Sequence, residues 1–181
     1  MPIVRRVLPN EYHKYRTHLK ALDAESKYLR FGYPVSDCLI DKLCDTIEAD
    51  IDHHVLFCVE TDQLEFAAIG HIATSQGMEL AFSVLKQYQG CGMGNALMRR
   101  SIQWCRTHNL LTGHMVCLSS NATIRHLCTK YGIKMKSEFG ETSAEINLDA
   151  ADVGTYIEQL VDQQAAIVDF MSKRIAASLS I

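Results

Sequence analysis

Three glycines at alternate positions form the segment whose possible chemistry is the easiest to infer. Gly90, Gly92 and Gly94 stand between an apolar segment that ends at Val84 and a helical pattern that begins at Ala96. Glycine lets the backbone approach a ligand closely and adopt positive φ. Free N–H groups at the start of a helix point at a bound anion, and the helix dipole favours negative charge there. The segment therefore predicts a site for a phosphate-bearing ligand.

Glycine spacing separates the known kinds of phosphate loop. A P-loop needs Gly-x4-Gly-Lys-Ser/Thr, but Gly94 is followed by Asn95 and Ala96, so no lysine reaches the phosphates. A dinucleotide loop needs Gly-x-Gly-x-x-Gly and an acidic residue at the end of the next strand, and residues 116–120 offer no carboxylate. The spacing excludes the first loop and disfavours the second.

A third kind of loop fits the sequence. The run Gln89-Gly-Cys-Gly-Met-Gly94 matches Gln/Arg-x-x-Gly-x-Gly/Ala, with an apolar strand before it and a helix after it. About thirty residues further on, Asn121 begins the next helix, and Leu127-Cys-Thr-Lys-Tyr-Gly-Ile133 follows. Together these features resemble the GNAT superfamily of acyl-CoA N-acyltransferases, over residues 3–148. The resemblance implies an α/β fold with a mixed, mostly antiparallel sheet, a splayed central strand pair and flanking helices.

The resemblance also implies how acetyl-CoA, the acyl donor, is held. The backbone of the strand before the loop should pair with the pantetheine arm, as an added strand would. The backbone N–H groups of the loop should hold the pyrophosphate. Asn121 should bond to the arm or to a water there, with a plain helix cap as the alternative. The predicted cofactor-binding residues are Phe82, Ser83, Val84, Gln89, Gly90, Cys91, Gly92, Met93, Gly94, Asn95 and Asn121.

Direct transfer in this family needs a proton acceptor for the attacking amine. Glu79 is the only carboxylate on the strand that leads into the loop, and it shares a strand face with Ala81 and Ser83. We expect Glu79 to be the base, the alternative being a solvated carboxylate. His71 on the preceding strand is the other candidate, unless it is structural.

The leaving thiolate usually takes a proton from a tyrosine in this family, and here the chain departs from the pattern. Cys128 stands at the position of that tyrosine, and Tyr131 follows three residues later. Both are candidate catalytic acids. A packing role for Cys128, with water supplying the proton, is the alternative.

The acceptor site should be built by residues 23–36 and the 139–143 turn. The predicted substrate-binding residues are Tyr28, Arg30, Phe31 and His71. Arg30 would recognise a carboxylate; alternatively, the aromatic side chains only pin a helix to the sheet. The resemblance implies an N-acetyltransferase that acts on a primary amine of a small molecule or protein. A degenerate domain that senses acyl-CoA without transferring the group is the alternative function.

Apolar segments and turn residues predict the elements that must position these groups. Their order is β-α-α-β-β-β-α-β-α-β-β-α, with a first strand over residues 3–8 and helix caps at Asn10 and Ser36. A closing hairpin with Gly140 in its turn completes an acyltransferase domain over residues 1–149.

A helical extension over residues 150–181 follows this domain. Its apolar stripe has the spacing 4-3-4-3-4 and consists of Val153, Ile157, Leu160, Gln164, Ile167 and Met171. The stripe predicts packing either on its own domain or on a second subunit, which would make a homodimer.

Composition bounds the remaining partners. The 181 residues carry a net charge of −3 without a Lys/Arg run, so we expect neither nucleic acid nor a membrane surface as partner. The seven cysteines are odd in number and lack Cys-x-x-Cys spacing, which predicts free thiols, a reducing cytoplasm and no metal. No apolar run reaches the roughly 18 residues of a membrane span.

Overall fold

A seven-stranded sheet with helices on both faces organises the chain. The computed structural model describes residues 1–138 and 141–179. The strands are β1 (Arg5–Arg6), β2 (His54–Glu60), β3 (Phe66–Ala73), β4 (Met78–Val84), β5 (Thr112–Leu118), β6 (Lys134–Glu138) and β7 (Glu141–Asn147). The helices are α1 (Tyr12–Ala21), α2 (Ala24–Phe31), α3 (Asp37–Ala49), α4 (Met93–Thr107), α5 (Ala122–Lys130) and α6 (Val153–Leu179). Short 3-10 turns cover Pro9–Glu11, Ile51–His53 and Lys86–Tyr88.

The central strand pair is the feature that creates the site. The sheet order is β1-β2-β3-β4-β5-β7-β6, and every neighbouring pair is antiparallel except β4 and β5. These two parallel strands pair only at Met78 with Gly113 and at Glu79 with His114, and then diverge. The α/β class, the mostly antiparallel sheet and the splayed central pair are therefore confirmed.

Apolar side chains alternate between the two faces of the sheet. On β2, Phe57 joins a larger core under α4 and α5, whereas Leu56 and Cys58 join a smaller core under α1 and α3. A strand buried on both faces carries a nearly continuous apolar run, as β2 does. Strands β2 and β3 are buried almost throughout, whereas four of the seven residues of β4 are only partly buried.

The first strand and the first helix cap differ from the prediction. Only Arg5 and Arg6 form β1, and after a backbone bond from Val7 to Leu56 the chain enters a 3-10 turn at Pro9. The Arg5 guanidinium turns inward and pairs with Glu11 and Glu60. Asn10 lies inside a 3-10 turn and caps nothing. The caps predicted at Ser36 and Asn121 are confirmed, since their side chains accept bonds from the N–H groups of Leu39 and Ile124.

The C-terminal helix packs through a different face from the predicted one. Thr155 and Ala166 are its buried residues, and Asp162 forms an ion pair with Arg99 at 2.7 Å. The predicted stripe points away from the domain, with Val153 76% exposed and Leu160 62% exposed. Packing of this stripe on its own domain is therefore wrong. Polar contacts to α4 and to Glu60 of β2, together with Ala166 and the Phe170 ring against Arg5, hold the helix on the domain.

Three further expectations concern the described residues alone. The six cysteines whose side chains are described are free thiols. Within residues 1–138 and 141–179, no group of three His, Cys, Asp or Glu side chains is placed to hold a metal. No helix of that part is long and apolar enough to cross a membrane. Of the turn predicted at 139–143, residues 139 and 140, including Gly140, lie outside the described residues.

Candidate active site

The glycine loop presents unused backbone donors to open space. Gly90 and Gly92 have φ of +77° and +76°, and a Cβ at either position would meet nothing within 4 Å. Gly92 is the N-cap of α4 and supplies no side-chain cap. The first N–H groups of a helix have no intrahelical acceptor. The N–H groups of Met93, Gly94 and Asn95 are therefore free to bind an anion, with the helix dipole behind them.

A cavity of about 490 Å³ lies between this loop and the splayed strands. Ten of the eleven predicted cofactor residues line it: Phe82, Ser83, Val84, Gln89, Gly90, Gly92, Met93, Gly94, Asn95 and Asn121. Cys91, the eleventh, is exposed and does not line it. The rest of the wall consists of Arg30, which was predicted to bind the substrate, and of residues that the sequence alone did not indicate: Ser26, Leu29, Tyr88, Thr123, Ile124, His126 and Leu127.

Strand β4 lends its backbone to this cavity. Beyond Glu79 it has no β5 partner among the described residues, so residues 80–84 face the cavity with one edge. Gly70, opposite Phe82, makes room for the phenylalanine ring, because a Cβ there would stand 3.1 Å from Cε1 of Phe82. An extended ligand could continue the sheet at this edge.

Gln89 ties the loop to its surroundings. Its Nε2 donates to the Ser26 hydroxyl at 3.1 Å and to the Val84 carbonyl at 3.3 Å. Asp23 caps the helix that carries Ser26. The start of α2 and the end of β4 are thereby fixed relative to the glycine loop.

A second cavity of about 150 Å³ adjoins the first. Leu29 and Arg30 line both cavities. The smaller one is otherwise lined by Phe31, Gly32, Tyr33, Glu79, Val116 and Leu118. Three predicted site residues, Glu79, Arg30 and Phe31, thus line the same cavity. Tyr28 is 45% exposed and lines neither cavity.

Burial lowers the pKa of two histidines, His71 on β3 and His18 on α1. The rings of His71 and His54 bond through Nε2 and Nδ1 at 2.9 Å, and burial, with the charge of Arg30, lowers the pKa of His71 well below 6.5. His71 lines neither cavity, which favours its structural alternative. His18 contacts the Phe66 carbonyl and the Ser83 hydroxyl, each at 2.8 Å. His18 was not among the predicted site residues, although its position on the apolar face of α1 indicates burial.

The two candidate acids occupy different environments. Cys128 is fully buried in the larger core and lines neither cavity, which favours packing. The Tyr131 hydroxyl lies 3.3 Å from the Asn95 carbonyl and 3.2 Å from its Oδ1. Asn95 is itself part of the cavity wall, and burial raises the pKa of Tyr131. Tyr131 therefore remains protonated at neutral pH, and Asn95 lies between its hydroxyl and the cavity.

Comparison with known proteins decides the family. The profile of the acetyltransferase (GNAT) family matches residues 19–133, which is more than half of the chain. The chain belongs to the GNAT family. Among curated protein sequences, none matches this GNAT protein.

Solved structures share the GNAT fold at low sequence identity. The GNAT domain of S. lividans PAT is 20% identical, with a TM-score of 0.64 over 80% of this chain and 89% of that one. The Salmonella typhimurium protein yncA, solved with its cofactor acetyl-CoA, is 16% identical, with a TM-score of 0.60 over 83% and 95%. The paia N-acetyltransferase of Thermoplasma acidophilum, in complex with coenzyme A, is 11% identical, with a TM-score of 0.58 over 80% and 97%.

Proposed function

We propose that this GNAT protein is an N-acetyltransferase that transfers an acetyl group from acetyl-CoA to a primary amine by direct attack. One observation carries the proposal: the two cavities meet at Leu29 and Arg30, beside the strand splay. The larger holds the anion-binding loop, and the smaller holds the Glu79 carboxylate. A donor in one cavity would thus face an acceptor in the other.

The residues of the larger cavity suit the donor. The free N–H groups of Met93, Gly94 and Asn95 would hold the pyrophosphate, and the open space at Gly92 leaves them accessible. The β4 backbone from Phe82 to Val84 would bond to the amides of the pantetheine arm. When bound, the donor supplies the activated thioester. We assign donor binding to residues 1–149.

Proton transfer would fall to two side chains. Glu79 would accept the proton of the attacking amine, directly or through water, as the C–N bond forms. Tyr131 would return a proton to the thiolate as the C–S bond breaks. Because its hydroxyl bonds to Asn95 in the cavity wall, one water between them and the sulfur would complete the path.

The smaller cavity favours a small acceptor over a folded protein surface. Five of its eight lining residues are aromatic or aliphatic, and Arg30 and Glu79 are its charged residues. An amine beside an apolar group and a carboxylate would satisfy both charges. We therefore propose an amino acid, or a similar small amino acid derivative, as the acceptor. A polyamine is disfavoured, because its ammonium groups would be repelled by the Arg30 guanidinium.

A thiol-release assay with acetyl-CoA tests this function. Apolar amino acids, their amides, spermidine and a short peptide form the acceptor panel. We expect release above background with the free amino acids and at least about tenfold less with the amides, which lack the carboxylate that Arg30 would bind. In Arg30→Gln this difference should disappear. Release with none of the amines would overturn the proposed transfer.

One observation favours the second candidate, an acyl-CoA sensor. The position at which this family usually carries its tyrosine holds Cys128, which is fully buried. A sensor would bind acetyl-CoA in a calorimeter yet release no thiol with any amine. The free thiols are consistent with a reducing compartment, and we propose the cytoplasm.

A further inference from the structure

The outer face of α6 leaves a long apolar surface uncovered. Nine large apolar side chains on it are each between 49% and 81% exposed. They are Val153, Ile157, Leu160, Val161, Ile167, Val168, Met171, Ile175 and Leu179. Large contiguous apolar surfaces of this kind mark interaction sites. The buried residues Thr155 and Ala166 lie on the opposite face, so this surface points away from the domain except at its edge, where Ile167 borders a cavity lined by Phe57 and Trp104.

The centre of this surface repeats every eleven residues. Its eight positions are Val153, Ile157, Leu160, Gln164, Val168, Met171, Ile175 and Leu179, spaced 4-3-4-4-3-4-4. An eleven-residue repeat spans three turns at about 3.67 residues per turn, close to the 3.6 of a straight helix. The stripe therefore runs nearly parallel to the helix axis along its whole length.

The stripe is also symmetric about its single polar member, Gln164. Leu160 and Val168 stand four residues to either side of it, and Ile157 and Met171 stand seven. Val153 and Ile175 continue the symmetry at eleven residues. A two-fold interface requires a surface that complements itself. A second copy of α6, turned end to end, would place an apolar side chain opposite each of these six positions, whereas Leu179 lies beyond the symmetric part of the stripe.

We infer that the protein forms a homodimer through antiparallel pairing of α6 about a two-fold axis at Gln164. Leu160 of one copy then packs against Val168 of the other, and Ile157 against Met171. The two Gln164 amides meet on the axis, where each can both donate and accept a hydrogen bond. A polar group at one core position fixes the register of paired helices.

Charge and area agree with a second copy as the occupant. No charged residue stands among the eight positions of the stripe, and Asp162 and Lys173 lie on the opposite face of α6, where they pair with Arg99 and Asp169. An apolar side chain of this size presents roughly 100 Å² when fully exposed. Nine of them at these exposures offer about 500–600 Å² per copy, which for two copies reaches the roughly 1,000 Å² that a specific interface needs.

Sedimentation equilibrium of the full chain tests the dimer. We expect the wild type to be dimeric, and Leu160→Glu to raise the dissociation constant by at least about 100-fold, because the carboxylate would be buried without a partner. Ala165→Glu is the matched control: it adds the same charge to an exposed helix position outside the stripe. Circular dichroism checks that both variants stay folded. A wild type that is monomeric at its highest soluble concentration, or equal effects of the two substitutions, would overturn the proposal.

A charge-pairing experiment tests the antiparallel register. Leu160→Glu and Val168→Lys should each be monomeric alone, because each would bury one kind of charge. Mixed in equal amounts, the two variants should form a heterodimer. The carboxylate introduced in one copy would face the ammonium group introduced in the other only when the helices run antiparallel about Gln164. A mixture that stays monomeric while the wild type is a dimer would overturn this register.

Discussion

The Glu79 carboxylate and the His114 imidazole lie 3.9 Å apart, from Oε2 to Nε2, at the last residue pair that β4 and β5 share. Both side chains are about half exposed. Beyond them the strands diverge and the cavities open. Glu79 thus lies at the point where β4 and β5 separate, and it lines the cavity that opens there.

Replacing Glu79 by glutamine should remove the proposed base while keeping the size of the side chain. We expect kcat to fall by about 100-fold or more, with little change in the KM for acetyl-CoA, because general bases contribute roughly 10²–10⁴-fold. Steady-state kinetics across pH gives the measurement. Glu65→Gln makes the same change on the exposed β2–β3 turn and should leave kcat unchanged. An unaltered pH–rate profile in Glu79→Gln would exclude this residue as the base.

Replacing Tyr131 by phenylalanine separates the two candidate acids. It removes the hydroxyl that bonds to Asn95 and keeps the ring, so kcat should fall by about tenfold or more. Cys128→Ala should lower the free energy of unfolding by about 1 kcal/mol and leave kcat near the wild-type value, because this thiol packs in the core. Tyr156→Phe removes a hydroxyl from the exposed face of α6 and serves as the control. Turnover lost in Cys128→Ala but kept in Tyr131→Phe would reverse the assignment.

Local patterns could be read from the sequence, whereas long-range pairings could not. The glycine loop and the caps at Ser36 and Asn121 depend on neighbours within a few residues, and there the prediction agrees with the structure. Arg5 pairs with Glu60, 55 positions away, and no local spacing signals that contact.

The face through which α6 packs on the domain could not be predicted from the sequence, for a related reason. Periodicity finds the apolar stripe of a helix but not the surface that covers it. Here polar contacts such as Asp162 with Arg99 hold the helix on its domain, so the most apolar face is the free one. Likewise, the separation of β4 and β5 after Glu79 and His114 depends on how two strands pair, so it could not be predicted from either strand alone.

Stability should fall as the pH drops from about 6.5 toward 4, and His18 should account for part of the loss. Burial lowers the pKa of His18 from 6.5 to about 4 in the folded state. Between these values the unfolded chain binds the proton and the folded chain does not, so stability rises with pH there and is complete above 6.5. The shift corresponds to about 3 kcal/mol of unfolding free energy. Urea unfolding at pH 7.5, 6 and 5 measures it.

His18→Gln should be less stable than the wild type at pH 7.5 but lose less stability on acidification. His13→Gln, at an exposed position of the same helix, should keep the wild-type pH dependence. The carboxylate of Glu11 contributes to stability in a lower pH range. Burial alone would raise the pKa of Glu11, but the hydrogen bond from Arg5 lowers it below 4.5. Stability due to Glu11 is therefore present above 4.5 and lost below it. A pH dependence that is identical in His18→Gln and the wild type would refute the assignment to His18.

Gly113→Ala should weaken the point at which the splayed strands are joined. A Cβ at Gly113 would overlap the Met78 carbonyl oxygen and stand 2.8 Å from the Met78 Cβ. The backbone of β4 or β5 must shift to relieve this overlap, which costs about 1–3 kcal/mol. Because Glu79 follows Met78 directly, the same shift would displace the proposed base, and kcat should fall with the unfolding free energy. Gly154→Ala, inside the first turn of α6, should instead stabilise the protein by about 0.5–1 kcal/mol and leave kcat unchanged. Thermal unfolding and turnover, measured on both variants, decide whether Gly113 is needed for the close approach of the two strands.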